Sequence, residues 1–186
     1  RMTPAEALHA LRAAEARDGP IPVDFRRDLL AKLASALLGR SEAIAAAVDA
    51  DYGGRSRLDT LLADVVCTAD AARYTRRHLR RWARPRRVPV PFPFWPASAR
   101  EVPTPKGVVG IMSPWNYPVQ LALWPAVDAI AAGNRVALKP SERTPRTAAL
   151  LAELVEAALG PGIARTVLGG PEVAADFAAQ SWDHLV

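Results

Sequence analysis

Three short polar segments of this chain carry side chains suited to binding a small molecule. They are "SPWNYP" (113–118), "KPSERTP" (139–145) and "GGPE" (169–172). The first places one amide, Asn116, among two aromatic residues and three positions of Ser or Pro, where an ordinary surface turn uses Gly, Asp and Ser. The second contains a cation and a carboxylate, Lys139 and Glu142. Such groups donate and accept hydrogen bonds, and the elements around them decide whether they meet.

Cys67 is the only cysteine, so an internal disulfide and a cysteine-rich metal site are excluded. This cysteine usage fits a reducing cytoplasm. A lone cysteine can also be a nucleophile. However, the surrounding segment "LLADVVCTADAARY" predicts a mostly buried helix, with no histidine close in sequence to activate the thiol. We therefore expect Cys67 to be a small core residue.

From Lys106 onward the chain alternates between apolar strand patterns and helix patterns. Strands are predicted within 107–112, 134–140, 163–170 and 182–186, with helices between them. Thr144 is placed to cap the second of these helices. The alternation predicts an α/β fold with a doubly wound parallel sheet.

Ligands of such sheets bind beyond the carboxyl ends of the strands, so the three polar segments should face one crevice. The usual dinucleotide fingerprint G-x-G-x-x-G is absent, because "GVVGIM" has its glycines inside the strand. Any nucleotide bound here is therefore not held in the ordinary Rossmann way.

The first 84 residues are predicted to be helical. Apolar residues recur every four positions in 24–40, with Asp24 as the expected cap. Ser41 is placed to cap the next helix, which should stop at the glycine pair 53–54. A third helix is predicted from about Leu58 to Trp82.

Residues 85–105 contain seven prolines, which forbids a helix or a central strand. One interpretation is a Pro-rich linker. The alternation of Val88, Val90, Phe92 and Phe94 favours instead a β-arm that packs on another surface, such as a second subunit. The predicted organisation is thus a helical part (1–84), an arm (85–105) and an α/β core (106–186).

The net charge of +5 is concentrated in residues 73–87, which hold eight arginines and no acid. A nucleic-acid or membrane surface is one interpretation. Only Trp82 and Tyr74 are interleaved as stacking groups, so we favour a solvated helix end or a subunit contact and expect no nucleic-acid partner. No apolar run is long enough to span a bilayer, and no secretory signal is visible. Arg1 before Met2 indicates that at least one end is cut.

Longer segments resemble a known family. The segment 105–154, "PKGVVGIMSPWNYPVQLALWPAVDAIAAGNRVALKPSERTPRTAALLAEL", resembles the nucleotide-binding core of the aldehyde dehydrogenase superfamily. "DADYGGRSRLDTLLADV" (49–65) is similar to the helical segment upstream of that core, and 86–110 to its strand arm. The "PWNYP" form is most similar to the branch that oxidises aromatic and medium-chain aldehydes, coniferyl aldehyde dehydrogenases included. The resemblance extends from about Ala10 to Val186.

The resemblance implies roles for the loop residues. Asn116 would donate a hydrogen bond to the substrate oxygen when a cysteine thiolate adds to the aldehyde. Lys139 and Glu142 would hold the adenosine ribose of NAD, and Glu142 would disfavour NADP without excluding it. Besides Lys139 and Glu142, the cofactor-binding positions implied by the resemblance are Met112, Ser113, Pro114, Trp115, Asn116, Ser141, Gly169 and Gly170.

The family's nucleophilic cysteine, general-base glutamate and second glycine-containing loop would fall beyond Val186. Cys67 matches no family motif. The resemblance therefore implies the N-terminal part of an NAD(P)-dependent aldehyde dehydrogenase, inactive alone, whose oligomer forms through residues 86–103. The alternative is a non-catalytic, truncated remnant that binds nucleotide weakly or serves in assembly.

Overall fold

The computed structural model describes residues 2–186, with helices first and alternating strands and helices afterwards. The helices are α1 (Pro4–Asp18), α2 (Val23–Gly39), α3 (Ser41–Tyr52), α4 (Arg57–Asp59), α5 (Cys67–Trp82), α6 (Gln120–Ala132), α7 (Pro145–Leu159) and α8 (Pro171–Ala179). The strands are β1 (Arg86–Val88), β2 (Ala99–Glu101), β3 (Val108–Met112), β4 (Arg135–Lys139), β5 (Ala164–Thr166) and β6 (His184–Leu185). This order confirms the predicted α/β fold and the helical start.

The helix ends show where local sequence indicates a cap correctly and where it does not. α3 ends as predicted, with Gly53 in the left-handed conformation that favours glycine. The predicted caps Asp24 and Ser41 are wrong, because both residues lie inside their helices and make no capping bond. Asp24 instead accepts hydrogen bonds from Arg80 of α5, at 2.7 Å and 2.9 Å.

One continuous helical run covers residues 57–82, as predicted, but its middle (Thr60–Val66) is π-helical. Cys67 is exposed, so its assignment to the core is wrong. The apolar Leu62 and Val66 also face outward, while the buried face includes the polar Asp64 and Thr68. The Thr68 hydroxyl on that face is satisfied, because it donates to the Asp64 carbonyl at 2.6 Å.

The central sheet has the order β5-β4-β3-β6, and each neighbouring pair is parallel. On one face, α1 and α8 pack on the sheet through a small apolar cluster that includes Leu11, Val108 and Phe177. On the other face, α6 and α7 join α2, α3 and α5 in the larger core. Helices on both faces of a parallel sheet make the predicted doubly wound architecture.

A glycine inside β3 has a packing reason. A Cβ on Gly110 would lie 2.8 Å from the ring of Trp182, so only glycine lets this ring cover the strand.

The Pro-rich segment forms a short arm. β1 and β2 pair antiparallel, with Arg86 opposite Glu101. The strand predicted as far as Phe94 is wrong beyond Val88: the prolines that follow lack the N–H a ladder needs, and Phe92–Phe94 form a 3-10 turn. Phe92 is 82% exposed and Trp95 70%.

No helix within 2–186 combines the length and apolarity required to cross a bilayer. In the same residues, no group of three or more His, Cys, Asp or Glu side chains is arranged to hold a metal ion.

Candidate functional site

The loops that follow β3, β4 and β5 leave the sheet at the same end, because these strands are parallel neighbours. Backbone bonds tie them together. The Ser113 N–H donates to the Lys139 carbonyl at 3.1 Å, and the Val167 N–H donates to the Leu138 carbonyl at 2.8 Å. The structure thus brings the three predicted polar segments to one edge.

Asn116 is exposed and lines a cleft of about 610 Å³. The lining residues are Tyr52, Gly54, Arg55, Ser56, Asp59, Leu62, Ala63, Asn116 and Tyr117. Within residues 2–186, no hydrogen bond engages the side-chain amide of Asn116. The amide is therefore free to donate to a ligand in the cleft.

The backbone of this loop is anchored by residues that precede the helical run 57–82. Arg55 Nη1 donates to the Asn116 carbonyl at 2.6 Å, and the Tyr52 hydroxyl donates to the Trp115 carbonyl. The Arg55 guanidinium also lies over two rings, 5.0 Å from the centroid of Tyr52 and 4.8 Å from that of Tyr117. These contacts fix two successive carbonyls of the loop.

The other end of the loop is held by Asp64, which is fully buried. Its Oδ1 accepts from the N–H groups of Val119 at 3.1 Å and Gln120 at 2.9 Å, where α6 begins. Its Oδ2 lies 3.5 Å from Arg55 Nη2. Burial raises the pKa of Asp64, against the opposing effects of the Gln120 N–H, the Arg55 charge and the Val119 N–H.

Sequence reasoning did not single out Tyr52, Arg55 or Asp64. The available signal was an acid in the middle of the apolar segment "LLADVV", a position where a charge is retained only with partners.

The second polar segment forms a donor–acceptor pair beside the first. Lys139 is 2% exposed, and its Nζ donates to the Pro140 carbonyl at 2.8 Å and to Glu142 Oε2 at 3.4 Å. The pKa of Glu142 is lowered, first by a hydrogen bond from its own backbone N–H and then by the Lys139 charge. Ser141 Oγ accepts from the Arg143 N–H at 3.2 Å, which closes the turn.

The start of α7 is capped by a residue that is distant in the sequence. Thr144 occupies the predicted position, but its hydroxyl makes no capping bond and donates to the Ser141 carbonyl instead. Asp51 of α3 supplies the cap: it accepts from the N–H groups of Arg146 at 3.1 Å and Thr147 at 2.8 Å. The predicted capping role of Thr144 is therefore wrong.

The other predicted cofactor-binding residues lie around the same edge. Met112 is the register partner of Lys139, while Pro114 and Trp115 are exposed. The buried Ser113 hydroxyl has no hydrogen-bond partner within residues 2–186.

The two glycines before α8 have different surroundings. A Cβ on Gly169 would lie 2.5 Å from Val173, so the packing of α8 itself requires this glycine. Gly170 has open space around it, which leaves room at the start of α8.

Comparisons with known proteins agree with this geometry. The family model described as "Aldehyde dehydrogenase family" matches residues 1–183. The coniferyl aldehyde dehydrogenase of Pseudomonas sp. is 44% identical over 180 residues, which cover 97% of this chain and 37% of the relative. A probable coniferyl aldehyde dehydrogenase of Caulobacter vibrioides is 38% identical, covering 97% of this chain and 38% of the relative.

Solved structures give the same result. A substrate-bound AldH of Staphylococcus aureus superposes with a TM-score of 0.93 at 25% identity, covering 100% of this chain and 40% of that protein. The chain thus spans well under half the length of the relatives it matches. Its fold, its loop sequences and these matches agree with the predicted resemblance: the chain belongs to the aldehyde dehydrogenase family.

Proposed function

We propose that this chain is the N-terminal part of an enzyme that oxidises an aldehyde to the carboxylic acid. A cysteine thiolate from outside residues 1–186 would add to the aldehyde, and a glutamate, also from outside, would activate the water that releases the acid from the thioester. NAD, held by Lys139 and Glu142, would supply the hydride acceptor. The observation that carries the proposal is the unpartnered amide of Asn116 in the cleft beyond β3.

Asn116 suits the addition step. When the thiolate attacks, the carbonyl oxygen becomes an alkoxide, which a fixed hydrogen-bond donor stabilises more strongly than it stabilises the aldehyde. An amide donates without losing its proton and brings no charge of its own. Its loop is anchored at the backbone, so the donor needs little reorganisation when the charge develops.

Cys67 does not serve as the nucleophile in this proposal. It is the only cysteine of the 186 residues, lies exposed on α5, and does not belong to the described residues that line the cleft of Asn116. A covalent mechanism needs the thiolate beside the donor that stabilises its adduct.

The pair Lys139–Glu142 supports NAD as the cofactor. An ammonium and a carboxylate oxygen 3.4 Å apart offer one donor and one acceptor, which suits neighbouring ribose hydroxyls. The orphaned hydroxyl of Ser113 and the open space at Gly170 lie in loops at the same edge and suit a polar ligand. The carboxylate of Glu142 would repel a 2′-phosphate, so NAD is preferred over NADP, which remains usable.

We propose that the substrate is aromatic and of the coniferyl type. Support comes from the rings of Tyr52 and Tyr117 in the cleft and from the name of the Pseudomonas relative. The single cysteine supports a cytoplasmic location.

We also propose that the complete enzyme is a homo-oligomer joined through the arm, residues 86–103. Phe92, Trp95 and Val102 are exposed there, and apolar surface of this kind marks contact sites. Deleting the arm should reduce the mass measured by light scattering to that of a smaller species.

The test compares the complete enzyme that contains this chain with residues 1–186 alone, following NADH absorbance with coniferyl aldehyde. The complete enzyme should turn over and the 186 residues should not. Asn116→Ala should lower kcat by about two to three orders of magnitude, the usual effect of losing one oxyanion donor. The matched control is Gln180→Ala, which removes a surface amide bound to Asp176 and should leave kcat unchanged.

Near-normal kcat in Asn116→Ala would remove this residue from the mechanism. An inactive complete protein that still assembles through the arm would favour the second candidate, a non-catalytic assembly module, for which the exposed arm is the supporting observation.

A further inference from the structure

Arg55 contacts four other residues of the site at once. Its guanidinium donates to the Asn116 carbonyl, lies 3.5 Å from the buried Asp64 carboxylate, and sits over the rings of Tyr52 and Tyr117. The Arg55 side chain is only 12% exposed. This low exposure and these contacts distinguish Arg55 from a solvated surface arginine.

We propose that Arg55 is a positioning residue, which fixes the backbone carbonyl of Asn116 and thereby the direction of its side-chain amide. Tyr52 assists by holding the preceding carbonyl, that of Trp115. This inference rests on the proposed function of Asn116 as the oxyanion donor.

The segment between β3 and α6 explains why such a residue is needed. Residues 113–119 run between the last residue of β3 and the first of α6, outside both elements, and the prolines at 114 and 118 have no N–H to donate. Two of these seven residues thus offer no backbone donor, and the Asn116 carbonyl is held by the bond from Arg55 at 2.6 Å.

The chemistry of the side chain indicates arginine specifically. A planar guanidinium presents several N–H groups in fixed directions, so one residue can reach the Asn116 carbonyl and the Asp64 carboxylate together. Asp64 in turn holds the first N–H groups of α6. The carbonyl on one side of Pro118 and the helix start on the other are thus tied through a single ion pair.

A purely stabilising role predicts a different result from a positioning role. If Arg55 only stabilises the fold, its loss should affect the enzyme equally whether or not Asn116 carries an amide. If Arg55 acts through Asn116, its loss should matter only while the amide is present, so the two substitutions should not be additive.

The experiment is a double-mutant cycle in the complete enzyme, with kcat and KM measured for coniferyl aldehyde and NAD. Arg55→Lys keeps the positive charge beside Asp64 but loses the planar guanidinium with its N–H groups in fixed directions. It should lower kcat by about 10- to 100-fold, the scale on which a misplaced catalytic group costs rate, and leave the KM for NAD unchanged. In the Asn116→Ala background the same substitution should change kcat by no more than about twofold.

The matched control is Arg57→Lys, two positions away, where the arginine pairs with Glu42 at the surface. Its kcat should equal that of the parent. If Arg55→Lys does not fold, Tyr52→Phe replaces it in the cycle, since it removes only the hydroxyl that donates to Trp115. The expected result is a smaller loss of kcat that again disappears in the Asn116→Ala background.

The outcomes separate the two proposals. Equal losses of kcat with and without the Asn116 amide, or normal kcat in a folded Arg55→Lys enzyme, would overturn the positioning role and leave the proposed function intact. A parent enzyme without aldehyde oxidation, or a normal Asn116→Ala variant, would overturn the proposed function and this inference with it.

Discussion

Replacing Asp51 by alanine should destabilise this chain by about 1.5–5 kcal/mol, because Asp51 caps a helix 96 residues further along the chain. Losing the helix cap on α7 costs about 0.5–2 kcal/mol. Asp51 Oδ2 also accepts from the Thr147 hydroxyl at 2.8 Å, and Thr147 is fully buried. Leaving that hydroxyl without an acceptor adds about 1–3 kcal/mol.

The assay is urea unfolding of residues 1–186, where a lower midpoint at unchanged slope reports a change in stability. Asp51→Asn keeps one side-chain oxygen and should fall between the parent and Asp51→Ala. Thr144→Ala is the informative control, because local sequence marks Thr144 as the cap of α7. The structure gives it only a 3.4 Å bond to the Ser141 carbonyl, so its loss should cost below about 1 kcal/mol.

Two results would refute this reasoning. One is an Asp51→Ala protein within about 0.5 kcal/mol of the parent, the range of an ordinary surface substitution. The other is a Thr144→Ala protein that is less stable than Asp51→Ala, which would indicate that Thr144 is the cap of α7.

Three further predictions concern single side chains. The Arg57 side chain, by hydrogen bonding, lowers the pKa of Glu42 in the folded state, so the stabilisation is present at neutral pH and lost as the pH falls through that lowered pKa. Glu42→Gln should therefore lower the urea midpoint slightly at neutral pH, and the difference should shrink in acid and in high salt; a difference that grows in acid would contradict this sign. Cys67 should react fully with a thiol reagent in the folded chain, and slow labelling would indicate that the thiol is buried. Cys67→Ser should change the free energy of unfolding by no more than about 0.5 kcal/mol. Glu142→Gln in the complete enzyme should raise kcat/KM for NADP relative to NAD, and an unchanged ratio would argue against its place beside the ribose.

The sequence was sufficient for the two central strands of the sheet, β3 and β4, because they are buried on both faces. Val108–Met112 and Arg135–Lys139 are almost entirely buried, and such strands give continuous apolar runs that local sequence displays directly. The end of α3 at Gly53 was equally predictable, because the left-handed conformation at a helix end favours glycine whatever its distant neighbours are.

Predictions from local sequence were wrong for several helix caps and for the burial of Cys67, where contacts with residues distant in the sequence matter. Asp24, Ser41 and Thr144 have suitable side chains beside helix starts, yet none makes a capping bond. The prediction for Cys67 was wrong for a related reason. The apolar Leu62 and Val66 face outward, and the buried face includes Asp64, whose partners lie 55 and 56 residues away.

Asp64 and Asp51 share one arrangement, which explains how the helical part serves the site. Each carboxylate lies in or next to the helices of residues 1–84 and caps the helix that follows a site loop: Asp64 caps α6 after the Asn116 loop, and Asp51 caps α7 after the Lys139 loop. A parallel sheet sets where its loops begin, but not how their far ends are oriented. Both far ends are fixed by carboxylates from the helical part, and one apolar core joins that part to the sheet. The helical part therefore orients the two loops whose starting points the sheet sets.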